Sequence, residues 1–104
     1  MDYLYKKIKE IEMNPELYLN DNSLLLLKTF LDGYSLRDHE IAGEESSLFL
    51  HGFQQYVAEF YKVFSYYSWS QIISNYCQPT EQPFQVFFTL IERYVNDNPQ
   101  YKHD

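Results

Sequence analysis

Apolar residues along this chain recur at three- and four-residue intervals, and most such runs end at a proline, a glycine or a polar cluster, so the chain reads as a series of amphipathic helices. From Asp2 to Met13, Leu4, Ile8 and Ile11 share one face and lysines and glutamates take the other, which predicts a short first helix. Asn14-Pro15 ends it, because proline disfavours helical geometry at the residue before it and has no N–H to donate. Leu17, Tyr18 and Leu19 then cross to the next element. Asp21, Asn22 and Ser23 offer side-chain oxygens to cap orphan amides ahead of Leu24, Leu27, Phe30, Leu31 and Tyr34, a second helix that Gly33 is expected to close with a left-handed cap. From Ser35 to Ser47 the periodicity is weak and the residues polar, which predicts a long acidic loop with at most one helical turn.

A third helix, capped by Ser46 or Ser47, carries Phe49, Phe53, Tyr56, Val57, Phe60 and Tyr61. Val63 to Tyr67 is where a short strand could form, although the chain offers it no partner strand. Ser68 starts a shorter piece with Trp69, Ile72, Ile73 and Tyr76 on one face, ended by Cys77 to Pro79. Thr80 is a candidate cap, with Glu81 in the first turn, for a last helix bearing Phe84, Phe87, Phe88, Ile91, Tyr94 and Val95, in which Pro83 is tolerated at the start. Asn96 to Pro99 stop that helix. The expectation is an all-α, single-domain bundle of about five helices with a long acidic loop, spanning residues 1–104, with 1–2 and 97–104 frayed.

Composition sharpens this picture in three ways. A length of 104 residues provides for one hydrophobic core, and 45% apolar against 22% charged residues supplies the material to bury in it. Eleven Tyr, eight Phe and one Trp exceed what a helical core needs, so some of them should serve a surface. The net charge of −7 repels phosphate and attracts basic partners, which argues against direct nucleic-acid binding and for a basic protein partner. Cys77 is the single cysteine, so no intramolecular disulfide can form, and Glu10 and Glu12 interrupt any signal-like apolar stretch near the N-terminus. The longest apolar runs, Leu24 to Leu27 and the Thr89-broken Val86 to Ile91, fall far short of the ~20 residues of a membrane span, so a cytoplasmic protein is expected.

Candidate chemistry is sparse. Cys77 with His39 or His51 as its base is conceivable as a nucleophile, but Cys77 reads better as a small buried hydrophobe at a helix end. His39, His51, Cys77 and His103 lack metal-ligand spacing, and the isolated glycines Gly33, Gly43 and Gly52 form no phosphate-cradling loop, so neither metal nor cofactor is expected. Glu40 with Glu44, or Glu44 with Glu45, could be drawn as a carboxylate pair, yet such pairs are ordinary on solvated surfaces. No enzyme is expected. What remains is the acidic tract of Asp32, Asp38, Glu40, Glu44 and Glu45, opposed by Arg37 alone within its span. It is either a solvated loop or a docking surface for a basic partner, in which Tyr34 and Tyr56 would supply anchors while Phe49 belongs to the core.

Asn14-Pro15-x-x-Tyr18-Leu19 followed by Ser23-Leu24-x-x-Leu27-x-x-Phe30-Leu31-x-Gly33-Tyr34, then Ser68-Trp69-x-x-Ile72-Ile73-x-x-Tyr76 and Phe84-x-x-Phe87-Phe88-x-Leu90-Ile91, resembles the small helical immunity proteins of bacterial polymorphic and contact-dependent growth inhibition toxin systems. Members of that group often carry a glycine after the Tyr-Leu pair; Asn20, which also tolerates left-handed geometry, stands there in this chain. The resemblance implies a protein that binds one cognate toxin, often a nuclease, and blocks its basic substrate cleft. It transfers no catalytic residues. A small acidic adaptor or regulatory protein-interaction module is the alternative.

Overall fold

The computed structural model describes residues 3–42, 45–64 and 67–101. Five α-helices follow one another: α1 (Tyr3–Met13), α2 (Leu24–Ala42), α3 (Glu45–Tyr61), α4 (Trp69–Tyr76) and α5 (Pro83–Asp97), with 3-10 turns at Pro15–Leu17 and Pro99–Tyr101. No strand occurs among the described residues, including those of the 63–67 stretch, of which 65 and 66 lie outside the description. The protein is an all-α helical bundle.

The stripes read from the sequence become the core. Leu4, Ile8 and Ile11 of α1, Leu24, Leu27 and Leu31 of α2, Phe49, Phe53 and Val57 of α3, Trp69, Ile72 and Ile73 of α4, and Phe84, Phe87, Phe88, Ile91, Tyr94 and Val95 of α5 are all buried in one cluster. At its centre, Phe53, Trp69 and Phe87 bring three helices together, with ring centroids 4.9–5.5 Å apart in edge-on and tilted arrangements. On one flank α1 is tied to α5 through Glu92, which accepts hydrogen bonds from Tyr5 Oη at 3.1 Å and Lys9 Nζ at 2.7 Å. The Glu92 carboxylate raises the Lys9 pKa; burial, with Glu92 next, raises that of Tyr5.

The helix ends show which local signals were strong. Ser23 Oγ accepts the Leu26 N–H at 3.3 Å, capping α2. Ser68 and Gln71 form a reciprocal capping box at the start of α4, and Cys77 closes that helix. At α5 the expectation fails in detail: Thr80 lies in the preceding turn, the cap position is Gln82 without a side-chain bond, and Pro83 opens the helix. Glu81 Oε1 instead accepts the Gln78 N–H at 2.7 Å and closes the turn between α4 and α5.

The long acidic loop expected over residues 35–47 is largely helix. α2 runs through Gly33 and on to Ala42, and α3 is already under way at Glu45, so Ser46 and Ser47 are helical positions of α3. The physical reason is Ser35, which is buried and continues the stripe of Leu24, Leu27 and Leu31 at i+11. A small hydroxyl side chain at a close helix contact looks like a break in hydrophobicity without being one. Gly33, read as a cap, sits exposed inside the helix, where it lowers stability by roughly 1 kcal/mol relative to Ala but does not stop the helix. At the other end, Asp97 belongs to α5, and the turn after it seats the Tyr101 ring against Phe49 at 4.9 Å and Tyr94 at 5.6 Å. Fraying of the segment from 97 therefore does not extend to those residues; residues 1–2 and 102–104 lie outside the description.

Candidate interaction surfaces

The first candidate surface is the acidic one. Asp32 lies on α2, Asp38 and Glu40 occupy the last turns of the same helix, and Glu45 is the first residue of α3, so these positions stand on helical backbone around the connection between α2 and α3. Glu44 lies outside the described residues. Asp32 is half in solvent and forms an ion pair with Lys28 one turn before it, which locally neutralises it. The pairing of Glu40 with Glu44, or of Glu44 with Glu45, falls on Glu44 and so lies outside the described residues.

The two tyrosines assigned to this tract go to different sides of the bundle. Tyr34 stacks on Phe30 with centroids 6.4 Å apart and lies under Lys7 Nζ, so it faces α1. Tyr56 faces α5: its hydroxyl donates to Asp97 at 2.9 Å and its ring lies 5.4 Å from Tyr94. Burial, reinforced by the bond to Asp97, raises the Tyr56 pKa. Among the described residues, Leu36 on α2 and Leu48 on α3 are apolar side chains exposed near the acidic positions. Both stand beside stripe residues, Ser35 and Phe49, and so point off the buried face, a signal present in the sequence once Ser35 is counted as core.

The second surface, at the far end of α3, was not singled out by the sequence. Phe60, Tyr61, Tyr76, Val86 and Leu90 line a groove of about 430 Å³ between α3, α4 and α5, edged by Gln78, Glu81, Gln82 and Gln85 and by Arg93. The Arg93 guanidinium lies 5.1 Å above the Phe60 ring, and Phe60, Tyr61 and Tyr76 follow one another in ring contact. Burial raises the Tyr61 pKa, with Cys77 and Glu81 adding to it. Phe60 is 42% exposed and Tyr76 51% exposed, although both continue apolar stripes. Where two adjacent aromatics, Phe60 and Tyr61, end a helix, one of them must turn away from the core.

Beside this groove α3 ends in a Schellman motif: Val63 N–H donates to Ala58 C=O at 2.9 Å and Lys62 N–H to Glu59 C=O at 3.1 Å. Lys62 holds the left-handed position with φ 57°, where glycine is usual and another residue costs of order 1–2 kcal/mol. The reversal carries the chain to Phe64, which is 80% exposed.

Cys77 is half-buried at the end of α4 rather than fully buried, and His51 bonds with Gln55 ten residues, or about 15 Å of helix rise, before Tyr61. Among the described residues no group of three or more His, Cys, Asp and Glu side chains is placed to hold a metal ion, and no helix is long and apolar enough to cross a membrane. No protein-family model, curated protein or solved structure matches the chain.

Proposed function

We propose that the protein is an immunity protein that acts in the cytoplasm, binding a cognate bacterial toxin with nuclease activity and neutralising it by covering its basic substrate cleft. The observation that carries the reading is that Asp38 and Glu40 in the last turns of α2 and Glu45 at the start of α3 stand on helical backbone either side of one connection, with Glu44 beside them in sequence, in a chain of net charge −7. A nuclease cleft is built to attract phosphates, and an acidic inhibitor uses the same field to accelerate encounter. Helical backbone on both sides of that connection favours the role, since positions already held in a helix lose less conformational freedom on binding than positions in a loop. Exposed Leu36 and Leu48 supply apolar contact area beside the charges. The resemblance of the chain to small helical immunity proteins points the same way.

The test is to reverse Asp38, Glu40, Glu44 and Glu45 together to lysine and follow binding to the toxin encoded next to the gene. Association should slow by roughly tenfold or more at low salt and protection of toxin-expressing cells should fall. Unchanged association and protection would remove this surface from the reading. Capture of a housekeeping protein instead of a toxin would favour the adaptor alternative.

A further inference from the structure

Along α5 the groove is walled by Gln82, Gln85, Val86, Thr89, Leu90 and Arg93, whose three- and four-residue spacing keeps them on one face from the cap of the helix to its last turns. The opposite wall is a row of rings in contact, Phe60, Tyr61 and Tyr76, with Phe60 placed at the Arg93 end by the guanidinium above it. From Gln82 to Arg93 the helix rises about 16 Å. Spread along that length, 430 Å³ makes a channel about 5 Å across, which admits one extended chain of about five residues and excludes a helix, whose diameter is ~10 Å. The ends of the channel carry opposite charge: Glu81 adjoins Gln82 at one, and at the other Arg93, which reaches the Tyr56 hydroxyl, forms no ion pair among the described residues. Gln78, Gln82 and Gln85 hold side-chain amides that bond to no described residue, whereas those of Gln54, Gln55 and Gln71 are engaged within the fold.

We propose that this channel binds an extended segment of about five residues from a partner protein, apolar at its centre, with a basic side chain at the Glu81 end and a carboxylate at the Arg93 end. An alkyl chain would fill the same width, but it would leave three amides and the Glu81 carboxylate facing hydrocarbon. A peptide satisfies them, because a glutamine amide both donates and accepts, as a backbone peptide group does. At the other end a guanidinium grips a carboxylate through two parallel N–H bonds. The rings then cover the apolar side chains, and the two end charges fix the direction of the segment. The proposal does not rest on the toxin reading, which concerns the residues around the start of α3.

Random heptapeptides displayed on phage and selected against the intact chain test it, with dodecanoate as the competing probe. Selected peptides should share an apolar centre flanked by Lys or Arg on one side and by Asp or Glu on the other, and their synthetic forms are then titrated by fluorescence anisotropy. Thr89→Trp, which replaces an exposed side chain on the channel wall, should weaken binding roughly tenfold or more. Arg93→Gln should weaken it roughly fivefold, and should leave unchanged the affinity for the same peptide with its acidic residue amidated. Arg93→Glu should turn the preference at that position from acidic to basic residues, with circular dichroism confirming the helical fold of each variant. A selection without the two-charge pattern overturns the proposal, as does binding indifferent to Thr89→Trp. So does binding of dodecanoate without binding of peptide, or a dimer of this chain that Thr89→Trp abolishes, since either would name a different occupant.

Discussion

Phe49 and Phe53, near the start of α3, expose no surface, whereas Phe60 and Phe64, at and beyond its end, leave much of their rings in solvent. All four lie on one stretch of chain and are the same residue type. The difference comes from what crosses α3 at each level. Tyr94 of α5 and Tyr101 of the following turn close over Phe49, and Trp69 and Phe87 close over Phe53. Alongside Phe60, Tyr76 is the last residue of α4 and α5 contributes Arg93, so the rings line an open groove instead of a core. An aromatic at helical spacing thus declares a face, while the neighbouring helices determine whether that face is covered.

Truncation is the strongest way to break this comparison. Phe49→Ala should lower unfolding stability by roughly 3–5 kcal/mol, while Phe60→Ala should stay within about 1 kcal/mol. Urea denaturation measures both, and equal losses would mean that the groove end is as tightly packed as the sealed end.

The seal itself depends on Gly52. A Cβ there would stand 2.3 Å from the Tyr94 hydroxyl, which is buried and donates to the Phe49 carbonyl at 2.9 Å. Tyr94 has little room to retreat, since Phe49, Phe53, Tyr56 and Tyr101 all contact its ring. Gly52→Ala should therefore cost about 2–4 kcal/mol through overpacking and the strained hydrogen bond, a fall in Tm of roughly 10–20 °C. Combined with Tyr94→Phe, which removes the clashing oxygen, the loss should be smaller than the sum of the two single losses. Strict additivity would show that the hydroxyl is not the obstacle. Gly33 is the control within the same fold: no neighbour lies within 4 Å of its would-be Cβ, so Gly33→Ala should stabilise by about 0.5–1 kcal/mol. A loss at that position would mean that the glycine is needed for something other than the helix.

The smallest effect is alkaline. Tyr56, which joins the sealed end of α3 to Asp97, and Tyr5, which joins α1 to Glu92, both have pKa values raised above 10.0 in the folded protein. The folded state then holds protons that the unfolded state releases first, so this contribution is complete below about pH 10 and declines as pH rises through the folded values. Stability followed from about pH 9 to 11 should fall, and Tyr56→Phe should make the fall shallower. A slope unchanged by Tyr56→Phe would separate that hydroxyl from the alkaline response.

The candidate surfaces were legible to different degrees. The acidic tract was visible because charge is counted along the chain, although its backbone state was misread at Gly33 and Ser35. Tyr34 and Tyr56 were close to the tract in sequence, but helical periodicity sends one towards α1 and the other towards α5. The groove was not legible, since its lining residues come from three helices and meet only after packing.

What the sequence determined by itself is the set of helices and their inward faces, because a 3.6-residue period and capping residues such as Ser23 and Ser68 act within a few positions of one another. Tertiary structure alone decided the continuity of α2 past Gly33, the docking of Tyr101 and the division of twenty aromatic residues between core and surface. Those outcomes depend on contacts between residues far apart in the chain. The Tyr94 hydroxyl reaching the Phe49 carbonyl is one of them, and no local pattern encodes which helix will cover which face.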